Sequence, residues 1–201
     1  HFEKDDRLIG PLDEADRLFL LVEGLASLEA VSVNGIRRIL WVYRPCELVG
    51  SRSLLDEKVD DTEVRALTDG TAATIATSEL ERVVEDHPQI AMVVARTLTE
   101  RLSGMSDRLA EITTSAVPVR LARVLLRMAG EDSGDPRNFR PLEYPMTHET
   151  LSEIVGASRP HISATLGHLE EAGAVRRERA GKLTVRPATL KRIADGETEA
   201  V

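Results

Sequence analysis

The chain is 201 residues long, with 26 basic against 34 acidic side chains, a net charge of −8, 42% hydrophobic residues and one cysteine. That length allows one large domain or two small ones, each able to bury a core. The single cysteine excludes a disulfide framework and any multi-cysteine metal site within one chain and fits a reducing cytoplasm, while the lack of a membrane-span-length apolar run or a secretory signal pattern removes a membrane partner.

The first part reads as β. Residues 19–23, 25–31 and 37–43 are rich in β-branched, aromatic and alternating residues and predict three strands. Gly24 marks one turn, and Asn34-Gly35 is a two-residue hairpin signal. Pro45 and Gly50 punctuate the next turn, and 64–66 and 72–75 predict further short strands. Short strands at this spacing suggest a small sandwich or barrel.

The pattern then turns helical. Thr77 or Ser78 caps a short helix to Glu85, and His87-Pro88 opens a longer one, proline being tolerated in its first turn. Ile90, Val94, Leu98, Leu102, Met105, Leu109 and Ile112 repeat at three- and four-residue steps. This stripe, sustained for about three heptads, predicts self-association through the helix, against the plainer alternative of a helix packed on its own domain. Arg96, Glu100, Arg101, Asp107 and Arg108 fall on its other faces. Ser115 and Pro118 open a helix over 117–129 that ends at Gly130, and 131–138 reads as a polar surface loop.

The most informative stretch follows, from Thr147 to Glu171. Leu151, Ile154 and Val155 recur at helical spacing, Gly156-Ala157-Ser158 breaks the pattern, and Ile162, Leu166 and Leu169 resume it. Two short helices joined by a turn of small residues are the sequence form of a helix-turn-helix, whose second helix enters the major groove of DNA. Residues 175–179, a turn at Ala180-Gly181, and 182–186 form a basic hairpin, or wing; Pro187 starts a last helix to Ile193, and the tail from Gly196 is expected to be disordered. Charge is segregated to match. Residues 140–192 hold nine Lys/Arg and six Asp/Glu, a balance of +3, which leaves −11 for the rest.

In this order the parts resemble the Crp/Fnr superfamily of bacterial transcription factors. Those proteins join a cyclic-nucleotide-binding-type β-roll, a long dimerisation helix and a winged helix-turn-helix. The likeness covers nearly the whole chain. Its most specific pieces are Leu151-Ser-Glu-Ile-Val-Gly-Ala-Ser-Arg159, Val22-Glu-Gly24 before a strand, Glu47-Leu-Val-Gly50, and the run 120–126. It implies an α+β fold: a jelly-roll-like sensory β-roll over 1–86, a dimerisation helix over 87–114 and a winged helix-turn-helix DNA-binding domain over 115–201. It also implies a homodimer on a pseudo-palindromic promoter site, switched by rotation of the winged domains about the long helices. Contact with RNA polymerase, and the choice between activation and repression, are left open.

The resemblance also assigns candidate DNA contacts. Ser158 caps the recognition helix and donates to a phosphate, and Arg159 matches the family arginine that reads guanine through O6 and N7. Pro160 stands where many members carry a cytosine-reading glutamate, and Ala164 where they carry a second base-reading arginine. The half-site should therefore differ from that of the cyclic AMP receptor. His161, Ser163 and Thr165 are candidate base or phosphate contacts. Thr147 and His148 begin the first helix near the backbone, and Arg176, Arg177, Arg179 and Lys182 on the wing suit phosphate.

Gly50, Ser51, Arg52, Met105 and Ser106 match the effector pocket, and they depart from the cyclic-nucleotide pattern. Ser51 replaces a ribose-holding glutamate, and Asp60-Asp61-Thr62 replaces the Arg-Ser-Ala run that grips the cyclic phosphate. Two carboxylates repel a phosphate, and no donor evidently replaces the lost arginine. Met105 cannot make the polar base contact of its counterpart, although Ser106 can. Arg65 reads as an ordinary sheet residue. Cyclic AMP or GMP is therefore not the expected effector, which is unknown or absent, and no cofactor is expected. The alternatives are a redox- or gas-responsive regulator acting through Cys46, whose plainer reading is a half-buried structural thiol, and a cyclic-nucleotide-responsive regulator with a divergent pocket. No Ser/His/Asp order, glycine-rich phosphate loop or metal-ligand spacing among the five histidines supports an enzyme.

Overall fold

Among the described residues, seven short strands build the first half of the chain: β1 (Arg7–Ile9), β2 (Arg17–Glu23), β3 (Ala26–Val31), β4 (Arg37–Tyr43), β5 (Leu48–Val49), β6 (Thr62–Ala66) and β7 (Thr71–Ala76). The computed structural model describes residues 1–10, 13, 16–32, 34–51, 54, 62–129, 135–178 and 182–197. It divides into two compact units, His1–Asp107 and Arg108–Val201.

The strands of the first unit form two antiparallel sheets, in the orders β1-β6-β3-β4 and β5-β2-β7. Leu21 and Val49 from one sheet meet Ala26, Tyr43, Val64 and Ala66 from the other in a single core, closed by Phe2. Sharing one core between two sheets is what makes this a roll. Arg65 pairs with Glu63 at 2.8 Å and donates to the Asp5 carbonyl, the work of an ordinary sheet residue.

Asn34-Gly35 does sit in the β3–β4 hairpin, but the loop is longer than two residues. Val31 pairs with Arg37, the Ser32 N–H donates to the Ile36 carbonyl at 2.9 Å, and Gly35 at φ 74° donates back to Ser32. β1 and β5 lie outside the expected strands. They have three and two residues, too few to show a period, and they exist because β6 and β2 offer them an edge.

Helix α1 (Thr77–Asp86) begins one residue earlier than Thr77 or Ser78 as a cap would place it. Ala76 takes the cap position and its N–H donates to the Glu79 carboxylate at 3.2 Å. The 26-residue helix α2 (Gln89–Thr114) runs across the division between the units. Its expected seam is split. Leu102 and Leu109 are each 65% exposed and Ile112 45%, whereas Ile90, Val94, Leu98 and Met105 are already half-buried within one chain. Arg101 is not on a solvated face as its charge suggested: it is 8% exposed. A Cβ on Gly104, one turn further, would stand 2.7 Å from the Trp41 ring, so only glycine lets α2 approach β4 here.

The second unit contains α3 (Val117–Met128), β8 (Arg140–Pro141), α4 (His148–Val155), α5 (Arg159–Glu171), β9 (Val175–Arg177), β10 (Leu183–Val185) and α6 (Pro187–Ala194). Leu121 and Leu125 of α3, Leu151 of α4, Leu166 and Leu169 of α5 and Leu190 of α6 are all at most 1% exposed. Each such side chain contributes about 1.5–3 kcal/mol on burial, so these four helices hold one another. The wing is a three-stranded sheet in the order β8-β10-β9 rather than a bare hairpin. β8 has two residues, one a proline confined to an edge, and no periodicity announces it. Gly130, the wing turn at Ala180-Gly181 and the end of the tail lie outside the described residues.

Gly156 closes α4 in the left-handed region, φ 73° and ψ 38°, and a Cβ there would meet nothing within 4 Å. The cost of a side chain is therefore purely conformational. Gly156→Ala should destabilise the second unit by about 1 kcal/mol and Gly156→Asn by less, measured by denaturant unfolding. Equal midpoints for all three proteins would contradict this.

Candidate nucleic-acid interface

The turn between α4 and α5 is set by three side-chain choices. Thr147 Oγ1 accepts the Thr150 N–H at 3.0 Å and starts α4. Gly156 ends it, donating to the Ser152 carbonyl at 3.0 Å. Ser158 then accepts the His161 N–H at 3.4 Å and starts α5, where Pro160 sits in the first turn and removes a donor that has no helical partner. Ile162, Leu166 and Leu169 face the core, so Arg159, Pro160, His161, Ala164 and His168 are exposed on the opposite side.

The candidate contacts therefore fall into three groups. Thr147, Ser158, Arg159 and His161 are exposed, and Thr147 Oγ1 also lies 2.9 Å from Thr150 Oγ1. His148 and Ser163 are half-buried and bonded to each other, with Nδ1 and Oγ 2.8 Å apart. Thr165 leaves the list. It is 2% exposed and donates to the His161 carbonyl at 2.8 Å, so it is a core residue with a satisfied hydroxyl. The helical spacing puts it beside Leu166 and Leu169 rather than beside Ala164.

The wing is tied to the end of α5. Glu170 accepts both the Arg177 Nε–H and the Arg177 backbone N–H, each at 3.1 Å. The guanidinium groups of Arg176 and Arg186 lie over the Phe139 ring at 4.2 and 4.4 Å from its centre, a cation–π arrangement that fixes the base of the wing. Lys182 is exposed, and its carbonyl accepts the Glu178 N–H at 2.7 Å. Arg179 lies outside the described residues. Burial, and then the charges of Arg177 and Arg159, hold His148 below the ordinary histidine value, with Glu170 opposing. Three cationic or polar residues from α4, α5 and β9 thus share one field.

In the first unit, the candidate effector pocket is organised by Arg101. Its guanidinium donates to Ser51 Oγ at 3.2 Å and to the Leu48 carbonyl, and it lies over the Tyr43 ring at 4.8 Å. Its Nε has no hydrogen-bond partner among the described residues. Gly50, at φ 84°, lets the chain turn beside Ile9 and Arg17. Met105 is half-buried, Ser106 is exposed and donates to the Leu102 carbonyl at 2.9 Å, and Arg52 and Asp60-Asp61 lie outside the described residues. Cys46 is exposed rather than half-buried, in the left-handed region at φ 69°.

Residues 1–87 match the family model of the cyclic nucleotide-binding domain, and residues 119–193 that of the Crp-like helix-turn-helix domain. The chain is 24% identical over 166 residues to the CRP-like cAMP-activated global transcriptional regulator of Mycobacterium tuberculosis, covering 83% of this chain and 74% of the relative. It is 28% identical over 178 residues to the cyclic AMP receptor protein of Thermus thermophilus, covering 89% and 79%. Its structure matches a Crp/Fnr-family transcriptional regulator of the same organism with a TM-score of 0.76 and 25% identity, over 96% of each chain. The chain belongs to the Crp/Fnr superfamily.

As a Crp/Fnr regulator, it is a transcription regulator with a helix-turn-helix DNA-binding domain. Two residues of this regulator, Arg101 and Arg108, depart from the expectation that they lie on faces away from the apolar stripe. Val94, Arg101 and Arg108 follow at seven-residue steps, two turns apart, so the arginines share a face with half-buried Val94. Arg101 enters the roll, and Arg108 donates to the Ile154 carbonyl near the end of α4. Burial and the neighbouring Arg127 lower Arg108 to about 10, so it stays charged at neutral pH. Phe139 and Glu170 carry no pattern that marks them as wing supports.

The lowered value of His148 has a stability consequence with a definite sign. The unfolded chain binds the proton more readily, so His148 contributes stability above the ordinary histidine range that is lost as pH falls through that range. Urea midpoints measured from pH 7.5 down to 5 should fall more steeply for the wild type than for His148→Gln. Parallel slopes would contradict the assignment.

Proposed function

We propose that this chain is a homodimeric, sequence-specific regulator that lays α5 in the major groove at the two half-sites of a pseudo-palindrome. The observation that carries the reading is the division of α5. One face is sealed into the helix core, and the other presents Arg159 at the first helical position with Ser158 capping beside it. A planar guanidinium fork at the start of a groove-sized helix suits guanine O6 and N7. Pro160 offers no hydrogen bond, and the Ala164 methyl can meet only an apolar edge such as the thymine methyl. Base reading then rests on Arg159 and His161, with Thr147, Ser158, Arg176 and Lys182 positioning the helix on phosphates.

Dimerisation is supported by α2. Leu102, Leu109 and Ile112 occupy one side of the helix and are 65%, 65% and 45% exposed. A second copy of α2 would cover them as a coiled-coil seam and place the two recognition helices about one DNA turn apart. Independence from cyclic nucleotides is supported by the pocket. Ser51 stands where a ribose-holding carboxylate is required, and its hydroxyl is already engaged by Arg101.

Selection of duplexes from a random pool by the purified protein should return a pseudo-palindrome with one invariant guanine per half-site, with no change on adding cyclic AMP. Arg159→Ala should relax that guanine and cost about 1–3 kcal/mol on the selected site. A uniform loss on all sequences would reduce Arg159 to a phosphate ligand. Sedimentation should show a dimer that the double variant Leu102→Asp/Leu109→Asp converts to monomer. A wild-type monomer at micromolar concentration would remove the dimer.

A further inference from the structure

His148 and Ser163 are the half-buried candidates at the interface, and they are bonded to each other. In a neutral imidazole one nitrogen donates and the other accepts. In the cation both donate. With Nδ1 2.8 Å from Ser163 Oγ, the serine is the acceptor of the pair once the ring is protonated, whichever neutral tautomer precedes it. The serine hydroxyl proton is then free to point at another acceptor, and Nε2–H carries a full cation's field outward. With Nδ1 held by Ser163, Nε2–H is the donor that the ring presents to an anion.

We propose that His148, oriented by its bond to Ser163, forms a proton-linked contact for one DNA backbone phosphate and takes up a proton as the phosphate docks. The inference rests on the DNA-binding reading and adds to it a regulation by pH. The site draws on the start of α4, the first two turns of α5 and the first wing strand. Among the described residues, the charged groups whose fields act on His148 are Arg159 and Glu170 of α5 and Arg177 of β9. Glu170 is itself held by Arg177, through the 3.1 Å ion pair, so it is a poor counter-charge for a second cation. In the free protein partial burial, and then the two arginines, disfavour the protonated ring. A phosphate reverses the sign of the local field, and binding and protonation become linked. The proton comes from solvent and sits on the ring nitrogen; no covalent bond forms or breaks.

The linkage predicts that DNA affinity rises as pH falls. A rise of one unit in the ring's value on binding corresponds to about a tenfold gain per protomer. The probe is a mixed-sequence duplex of about three helical turns at low salt, because a phosphate contact needs no particular bases. Calorimetric titration at pH 6.5 in two buffers of unequal ionisation enthalpy should show net proton uptake, and affinity should rise several-fold between pH 8 and 6. His148→Gln, which keeps a hydrogen-bonding side chain, should lose most of both effects. His161→Gln, a second histidine of the same interface, should keep an acid-side gain relative to its own affinity at pH 8. Binding with no proton uptake and flat affinity would overturn the proposal and leave the DNA-binding reading standing. A pH dependence that survives in His148→Gln would overturn it as well. No binding anywhere from pH 6 to 8 would overturn both.

Discussion

The burial of one face of α5 is the constraint on which the functional reading depends. An eight-residue helix and a thirteen-residue helix have little stability alone. Leu151, Ile162, Leu166 and Leu169, at most 1% exposed, commit both to a core shared with α3 and α6. Once those positions point inward, the 3.6-residue period decides which residues point outward. Arg159, Pro160, His161 and Ala164 are presented because their neighbours are buried, and Thr165 is withheld for the same reason. The capping oxygens of Thr147 and Ser158 then fix where each helix starts, and so where along the groove each exposed side chain falls.

Around that core the charged residues are tied down rather than scattered. Glu170 holds Arg177, Phe139 holds Arg176 and Arg186, and Arg108 reaches the Ile154 carbonyl. The surface these groups make is basic in a chain that is acidic overall. An acidic remainder keeps nucleic acid away from the rest of the protein and leaves one face attractive to phosphate. His148 completes that face as its only half-buried histidine among the described residues, which is why its protonation and the arrival of an anion are coupled.

Most of the fold was legible in the sequence wherever a period ran long enough to be counted. The strands at 19–23 and 37–43, the long helix and both helices of the turn motif all announced themselves. Elements with two or three residues did not: β1, β5 and β8 owe their conformation to a neighbouring strand's open edge. At the candidate site, Arg159 and the caps were legible because turn chemistry and helix starts are local. Thr165 was misplaced because a threonine reads as polar although the period puts it inside. Arg101 was missed for the converse reason, since a charge reads as solvated unless the seven-residue step from Val94 is followed. The bonds that organise the interface, His148 to Ser163 and Arg177 to Glu170, join residues fifteen and seven positions apart, across elements whose meeting depends on the tertiary core.

The central claim is that α5 enters the major groove with Arg159 on a guanine. Dimethyl sulfate protection on a selected duplex tests it most directly, because the reagent modifies guanine N7 in the major groove and adenine N3 in the minor groove. The account predicts that the bound protein shields one guanine N7 in each half-site, about one helical turn apart, and that Arg159→Ala removes that protection while adenine N3 stays reactive throughout. Protection confined to the minor groove, or N7 protection unchanged in the variant, would contradict it.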